Sequence, residues 1–398
     1  MRETLLAILS RLVFEAGETR SSLNSKALCS NASIHKTVKS TIRMMTDTLK
    51  NPNPLPIVEP PTPTAPSEHS TDPEEKRFGL FSKILLAVIF IALVLGGLGI
   101  WWSFQPPKFD VLENARALTG SDAEQQPVAG AVTVATAIKV ADTLLNKPGG
   151  YLQNDVMPPG VLMDNITSWE YGVLTELRDS VRSLRNDFSR SQSQSIENPF
   201  LKDADSEFNF DSDAWFLPSA EEEYRDGVVA LQGFLDSLVS ANDQSARFSV
   251  RADNLSAYLA VVEKRLGSYG QRLTASVGDP ELTAALTPSG PDLQPIEGTP
   301  WSEIDNTFFE ARGYTWALLH MMKALTVDFQ KVLADKNAQV SMQQIIRDLE
   351  KASTRKWNPF VLNGHGFGWV ANHSLVLASY MARANAAVLD LRQLLLSG

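Results

Sequence analysis

The sequence predicts an all-α protein, with one transmembrane helix followed by a multi-helix antiparallel bundle with long helices. Three observations carry this. From Ile84 to Trp102, nineteen residues run without a charge. At 1.5 Å per residue that is roughly 29 Å of helix, about one hydrocarbon core. Beyond it, apolar residues recur at alternating steps of three and four in five separate stretches, the spacing of a single helix stripe. Strand-like alternation is scarce.

Taken in order, residues 1–44 come first. From Thr19 to Thr46 there is no acid, while Ser, Lys and Arg are frequent. Two readings compete: an acid-poor, Arg/Ser-rich presequence, or a non-native leader ahead of a true start at Met44 or Met45. We expect the second. Residues 45–82 read as a disordered, Pro-rich cytoplasmic tail, with seven prolines in NPNPLPIVEPPTPTAP, 51–66. Proline lacks the amide hydrogen and the segment has little apolar surface, so neither a helix nor a core forms there.

Residues 83–103, KILLAVIFIALVLGGLGIWWS, are expected to be a transmembrane signal anchor. The apolar run exceeds a signal peptide's and lacks a small-x-small cleavage site. Trp101 and Trp102 suit an interfacial aromatic belt. Lys76, Arg77 and Lys83 precede the span, and Asp110 and Glu113 follow it. The positive-inside rule therefore puts the N-terminus in the cytoplasm and the C-terminal domain in the periplasm of a bacterial inner membrane. Ala92 and Gly96 form a small-xxx-small pair, read as ordinary lipid-facing packing.

Residues 104–398 form the expected helical domain. One stripe is Leu174, Leu177, Val181, Leu184 and Phe188. A second is Tyr224, Val228, Leu231, Leu235 and Leu238; a third runs Leu255, Leu259, Val262, Leu266, Tyr269 and Leu273. The longest is Ile304, Phe308, Ala311, Thr315, Leu318, Met322, Leu325, Phe329 and Val332. The last is Val370, Ser374, Leu377, Met381, Ala384, Val388, Leu391 and Leu395. Shorter helices are expected at 131–145 and 341–353. Ser219 stands at capping-box spacing from Glu222, and Pro300 marks a helix start. Loops fall at 146–160, 278–300 and 354–368, where Pro and Gly collect. A weak internal echo links Gly172 and Asp187-Phe188 to Gly313 and Asp328-Phe329. An Asn-Pro-Phe follows each, at 198–200 and 358–360, then a Trp and another helix; coincidence explains it as readily as duplication.

The net charge is −10. Residues 1–83 hold 11 Lys/Arg against 9 Asp/Glu, so residues 84–398 carry −12. An acidic body argues against nonspecific nucleic-acid binding, which needs a basic face, and against a body clamped to anionic lipid. Cys29 is the one cysteine, which excludes an intrachain disulfide and a Cys-based zinc site.

The Pro-rich tail, the span ending GIWWSFQPPKFDV, the NPFL segment and the closing GHGFGWVANHSLVLASYMARANAAVLDLR together resemble the domain-of-unknown-function 2333 family. The resemblance covers about 76–398. It implies uncharacterised, single-span inner-membrane proteins of Gram-negative bacteria, and no activity or site residue.

Candidate chemistry is thin. His365 and His373 bracket HGFGWVANH, but no third zinc ligand has recognisable spacing and HExxH is absent. NGHGFGW, 363–369, offers backbone amides to an anion before a helix, yet lacks a P-loop Lys-Ser/Thr; a tight glycine turn is the plainer reading. Asp203, Asp205, Glu207, Asn209, Asp211 and Asp213 alternate like a calcium loop, but the EF-hand glycine position is Phe208 and position twelve is Ala214. We read them as a solvated acidic loop pinned by Phe208, Phe210, Trp215 and Phe216. Ser353-Thr-Arg-Lys356 spells S-x-x-K without its K-T-G partner and is taken as chance. His320, beside Met321 and Met322, reads as a packed core histidine.

No catalytic residue, metal site or cofactor is therefore expected, and His320, His365 and His373 stand as weak ligand-site candidates. The expected partners are the lipid bilayer, through residues 84–102, and an envelope protein or a second copy of the chain. The leading expectation is an envelope scaffold or protein-interaction module. The alternative is an envelope enzyme or ligand sensor with a site between the helices, its search set being Trp301, Glu310, His320, His365 and His373.

Overall fold

The computed structural model describes residues 73–122, 126–189, 197–240, 246–275, 299–356, 360–364 and 369–397. The expected leader and nearly all of the Pro-rich tail lie outside them. The described part contains eleven α-helices and no strand, apart from one isolated bridge between Asn363 and Asn372.

Helix α1, Pro73–Trp102, starts ten residues before the expected span and ends with it. Its window Gly79–Trp102 has a mean hydropathy of 2.8, and 0% of it is buried against the protein. No polar face exists for solvent and no protein covers the apolar one, which is the pattern of a candidate transmembrane helix. Of the unit formed by residues 1–86, only the start of α1 is described.

The second unit, residues 87–398, holds the rest of α1 and the body. Its helices are α2, Val111–Thr119; α3, Ala131–Asn146; α4, Asn165–Ser183; α5, Pro199–Phe208; α6, Ala220–Val239; and α7, Ala252–Ala275. They continue with α8, Ile304–Asp328; α9, Gln330–Asp335; α10, Gln339–Ala352; and α11, His373–Leu396. A π-turn, Leu184–Phe188, extends α4. Caps sit where the chemistry demands them: Asp110, Asn198, Ser219 and Asn372 each accept a backbone N–H of the first turn.

All of the α4 and α7 stripe residues are buried. Three expectations need correction. The longest stripe does not follow one helix: the chain breaks at Phe329, where α8 gives way to α9, and Val332 is only half-buried. Moreover α8 is buried nearly all round, so its core face is wider than a stripe. Val370 precedes α11 and is exposed, so the last stripe starts at Ser374. The acidic run is a loop only in its second half: Asp203, Asp205 and Glu207 lie in α5, 199–208, started by Asn198 and Pro199, and Asn209, Asp211 and Asp213 lie in the turn after it. Phe208 is buried, but Trp215 and Phe216 are exposed and pin nothing.

Helix directions follow from the contacts. Gly227 and Gly233 of α6 face Phe208 and Phe200, so α5 and α6 are antiparallel. Arg392 and Asn385 of α11 reach Glu263 and Gly267, so α7 and α11 are antiparallel. The central pair, α4 and α8, runs parallel. Asp164 and Asn165 interact with Asp305 at one end, and the rings of Phe188 and Phe329 lie 5.5 Å apart at the other. Midway the contact is reciprocal. A Cβ on Gly172 would meet Glu310 O at 1.9 Å, and one on Gly313 would meet Trp169 O at 1.9 Å. Only glycine permits backbones this close.

The helices thus fall into two four-helix sets, α3-α4-α5-α6 and α7-α8-α10-α11. In each, the first helix packs on the fourth, and the third on the fourth. The echo belongs to this duplication, and Asp164-Asn165 and Asp305-Asn306 extend it at the same 141-residue offset. The Asn-Pro-Phe match does not belong: 198–200 opens the third helix of one set, whereas 358–360 follows the third helix of the other. The sets also interlock. Asp328 Oδ2 accepts from Thr133 N (2.8 Å) and Thr133 Oγ1 (2.6 Å), capping α3 from the other set. Ser249 N, just before α7, donates to Phe188 O at 2.7 Å.

Candidate functional site

The histidines do not converge. His320 is buried in α8. Its Nδ1 sits 2.7 Å from Trp316 O and its Nε2 accepts from Phe109 N at 3.2 Å. Phe109 stacks on the ring at 4.1 Å. Both nitrogens are used, with the proton on Nδ1, and burial lowers the pKa to about 4, helped by Lys323 and Lys108. It is the packed core histidine the sequence suggested. His373 opens α11. Its Nδ1 accepts from Leu362 N at 3.0 Å, while its own N–H donates to Leu362 O at 2.9 Å, fastening the preceding loop. Its ring lies 6.2 Å from Phe308, twelve residues before His320 on α8. That is about 18 Å along the helix. His365 lies outside the described residues. Trp301 is exposed at the start of α8. Glu310 is engaged by Arg272, at 2.8 and 2.5 Å, and by the Tyr269 hydroxyl at 3.1 Å.

The acidic run also disperses. On α5, Asp205 is turned roughly 160–200° away from Asp203 and Glu207, so the three cannot surround one cation. Asp205 pairs with Arg185 at 2.7 Å. Glu207 shares a hydrogen bond with Glu223 of α6, and that pairing raises its pKa to about 7. Among the described residues no group of three or more His, Cys, Asp or Glu is placed to hold a metal ion.

What the sequence did not flag is a buried polar seam along α4. One turn past Gly172, Glu176 lies fully buried between α4, α7 and α8. Its Oε1 accepts from the Ser180 hydroxyl at 2.9 Å and from the Tyr258 hydroxyl through a very short bond. Its Oε2, and the Tyr314 hydroxyl that approaches it, have no conventional partner. No cation pairs with the carboxylate. Burial therefore dominates and raises its pKa to about 8, with Asp179 adding to the shift. Asp179 continues the seam outward, held by Arg265 at 2.6 and 3.1 Å on the half-exposed side.

Six residues earlier, Glu170 is equally buried but differently held. Lys147 Nζ lies 2.5 Å away with both side chains at 0% exposure. Leu152 N and Gln153 N donate to the same carboxylate, and Lys147 also donates to Gly150 O. Burial raises the Glu170 pKa to about 7 against these stabilising partners. This pair fastens the 147–153 loop to α4. Chemically, then, α4 carries one ion pair and one acid without a cationic partner among the described residues, protonated near pH 7. The signal available in the sequence was Asp-Asn eight residues before each glycine, which marks the duplicated core but not its chemistry.

No curated protein and no solved structure matches the chain. Residues 74–398 match the bacterial family described as "uncharacterized protein conserved in bacteria". The match takes in α1 and the whole duplicated body, and the chain is a member of that family, DUF2333.

Proposed function

We propose that this is a single-pass protein of the bacterial inner membrane, its N-terminus cytoplasmic and its helical body periplasmic, acting as an envelope scaffold or protein-interaction module. The observation that carries the reading is α1, whose apolar window is exposed up to its last turns, where Gly99 nears Pro159 and Trp102 meets Gly149. Lys76, Arg77 and Lys83 before it, against Asp110 and Glu113 after it, support the orientation. The scaffold role draws on the body's construction. Long helices are joined by ion pairs, His320 is packed with both ring nitrogens bonded, and His373 fastens the loop before α11. Protease added to spheroplasts should digest the body while a tag ahead of residue 73 survives; the opposite pattern reverses the topology. Crosslinking in cells should trap the body on another envelope protein or a second copy. A body recovered strictly alone would sink the scaffold role.

A second reading, a ligand sensor or envelope enzyme with its site between the helices, is favoured by Glu176. A buried acid without a cation is what a cationic or hydrogen-bonding ligand would meet. Its test is a thermal shift on adding periplasmic extracts to the full-length protein, lost in Glu176→Gln.

A further inference from the structure

The loop between α3 and α4 reaches back alongside α1. Gly99 lies three residues before the end of α1, and a Cβ on it would sit 3.7 Å from Pro159. Residues around Pro159 are thus level with the last turn of the apolar helix rather than beyond it. Their side chains are apolar and outward: Met157 is 71% exposed and Leu162 is 62% exposed. The α8 start belongs to the same end, because Asp305 meets Asp164 and Asn165; there Trp301 is 88% exposed. Trp101 and Phe104, also exposed, continue the rim on the chain leaving α1.

Cations line the same end. Arg355 lies over the Phe104 ring at 5.5 Å. Lys356 lies over the Phe308 and Phe309 rings and donates to Phe360 O at 3.0 Å. Behind them Arg312 is buried with carbonyl partners at Ala352, Thr354 and Gln105. Lys108, beside Glu350 and Lys323, lies further along α8 and is not part of this end. The acids here are Asp155, Asp164, Glu303 and Asp305; burial shifts Asp155 and Asp305 toward neutrality, and it shifts Lys356 the same way. Aromatic and apolar tips ringed by Lys and Arg are what the headgroup layer of a phospholipid bilayer accepts.

We propose that the end of the body from which α1 emerges is immersed in the interfacial layer of the phospholipid bilayer, with Met157, Leu162 and Trp301 as its apolar tips and Arg355 and Lys356 facing the phosphates. The inference rests on α1 crossing that bilayer. The body is then seated on the membrane rather than swinging on a tether, and its distal end is the part offered to partners.

The test uses the full-length chain in phospholipid nanodiscs, in a Cys29→Ser background, with single cysteines carrying an environment-sensitive dye. Met157→Cys, Leu162→Cys and Trp301→Cys report the proposed tips. Val340→Cys and Leu396→Cys report the far end, and Ile89→Cys reports the span. Nitroxide lipids labelled near the headgroup should quench the three tip labels about twofold more than the two distal ones. Equal quenching at tip and distal positions, with Ile89→Cys quenched by a deep nitroxide, overturns the inference and leaves the span standing. No deep quenching at Ile89→Cys overturns both. Circular dichroism confirms that each variant folds, and three independent tip positions keep one misfolded variant from deciding the result.

Discussion

Helices α4 and α8 occupy equivalent places in the two halves, yet they bury different chemistry. Both begin with Asp-Asn, pass a glycine eight residues on, and end at Asp-Phe. At Glu170, Glu176 and Asp179 of α4, the equivalent residues of α8 are Ala311, Ala317 and His320. One central helix carries a seam of buried carboxylates; the other buries a neutral histidine and Arg312, which is held by carbonyl oxygens. The shared positions are those that fix backbone approach and helix ends. The divergent ones face α7 and the loops, where each half meets a different neighbour. The two helices share their geometry, and the buried carboxylates lie on one of them.

The sharpest way to break this comparison is at the crossing. Gly172→Ala or Gly313→Ala puts a methyl 1.9 Å from a backbone carbonyl oxygen. Backbone cannot yield as a side-chain tip can, so the two helices must separate. We expect each to cost about 3 kcal/mol or more, or to abolish folding. Because the contact is reciprocal, the two losses should be similar; denaturant unfolding measures both. A mild effect at either position would deny that the halves pack through this point.

Next comes the ion pair. Lys147→Met leaves Glu170 buried beside an apolar chain, and breaking a buried pair from one side costs about 3–5 kcal/mol. Adding Glu170→Gln should recover much of that loss, since the orphaned charge is gone. Failure of the second change to rescue would mean that packing of the lysine stem, not charge, holds the 147–153 loop.

These two predictions also measure what the sequence disclosed. The span was plain because an uncharged run of that length has few other uses. Four of the five stripes were legible because apolar spacing encodes burial directly. The wide burial of α8 was not, since a helix buried all round has no single-stripe period. Glu176 was invisible for a different reason. A glutamate between Thr175 and Leu177 looks the same in sequence whether it meets water or Tyr258, and that depends on residues 82 positions apart. The parallel pairing of α4 and α8 likewise needed the reciprocal glycine contact.

The lone acid should appear in the pH dependence of stability. Its folded pKa, about 8, lies above the ordinary glutamate value. The native state therefore holds the proton more tightly than the unfolded chain. Its stabilising contribution is full below the ordinary glutamate value, declines as pH rises from there, and is lost once pH passes about 8, an amount on the order of a few kcal/mol. His320 works at the other end: its folded pKa, about 4, is depressed, so stability falls as pH drops from about 6.5 toward 4. Glu170, at about 7, and Asp328, at about 6, act in the same direction as Glu176, so melting temperature should fall between about pH 6.5 and 8, where His320 no longer opposes them. Glu176→Gln should flatten this fall and melt higher than the parent at pH 8.5. An unchanged slope between pH 6.5 and 8 would mean the acid is not titrating where it sits.

The smallest effect distinguishes the two Asp-Phe ends. Asp328 takes both the amide and the hydroxyl of Thr133, so it caps α3 across the interface between halves. Asp187 has only the Ser183 hydroxyl of its own helix. Asp328→Asn keeps the size of the side chain but replaces one acceptor by a donor facing two donors. It should cost about 1–2 kcal/mol, as lost caps and charge-assisted bonds do. Asp187→Asn should cost less, about 0.5 kcal/mol, because no helix end depends on it. Equal losses would mean that the Asp328–Thr133 contact adds nothing to the joint between the halves, which would then rest on the glycine crossing, the contact of Phe188 with Phe329, and the bonds of α7 to Glu176 and Asp179.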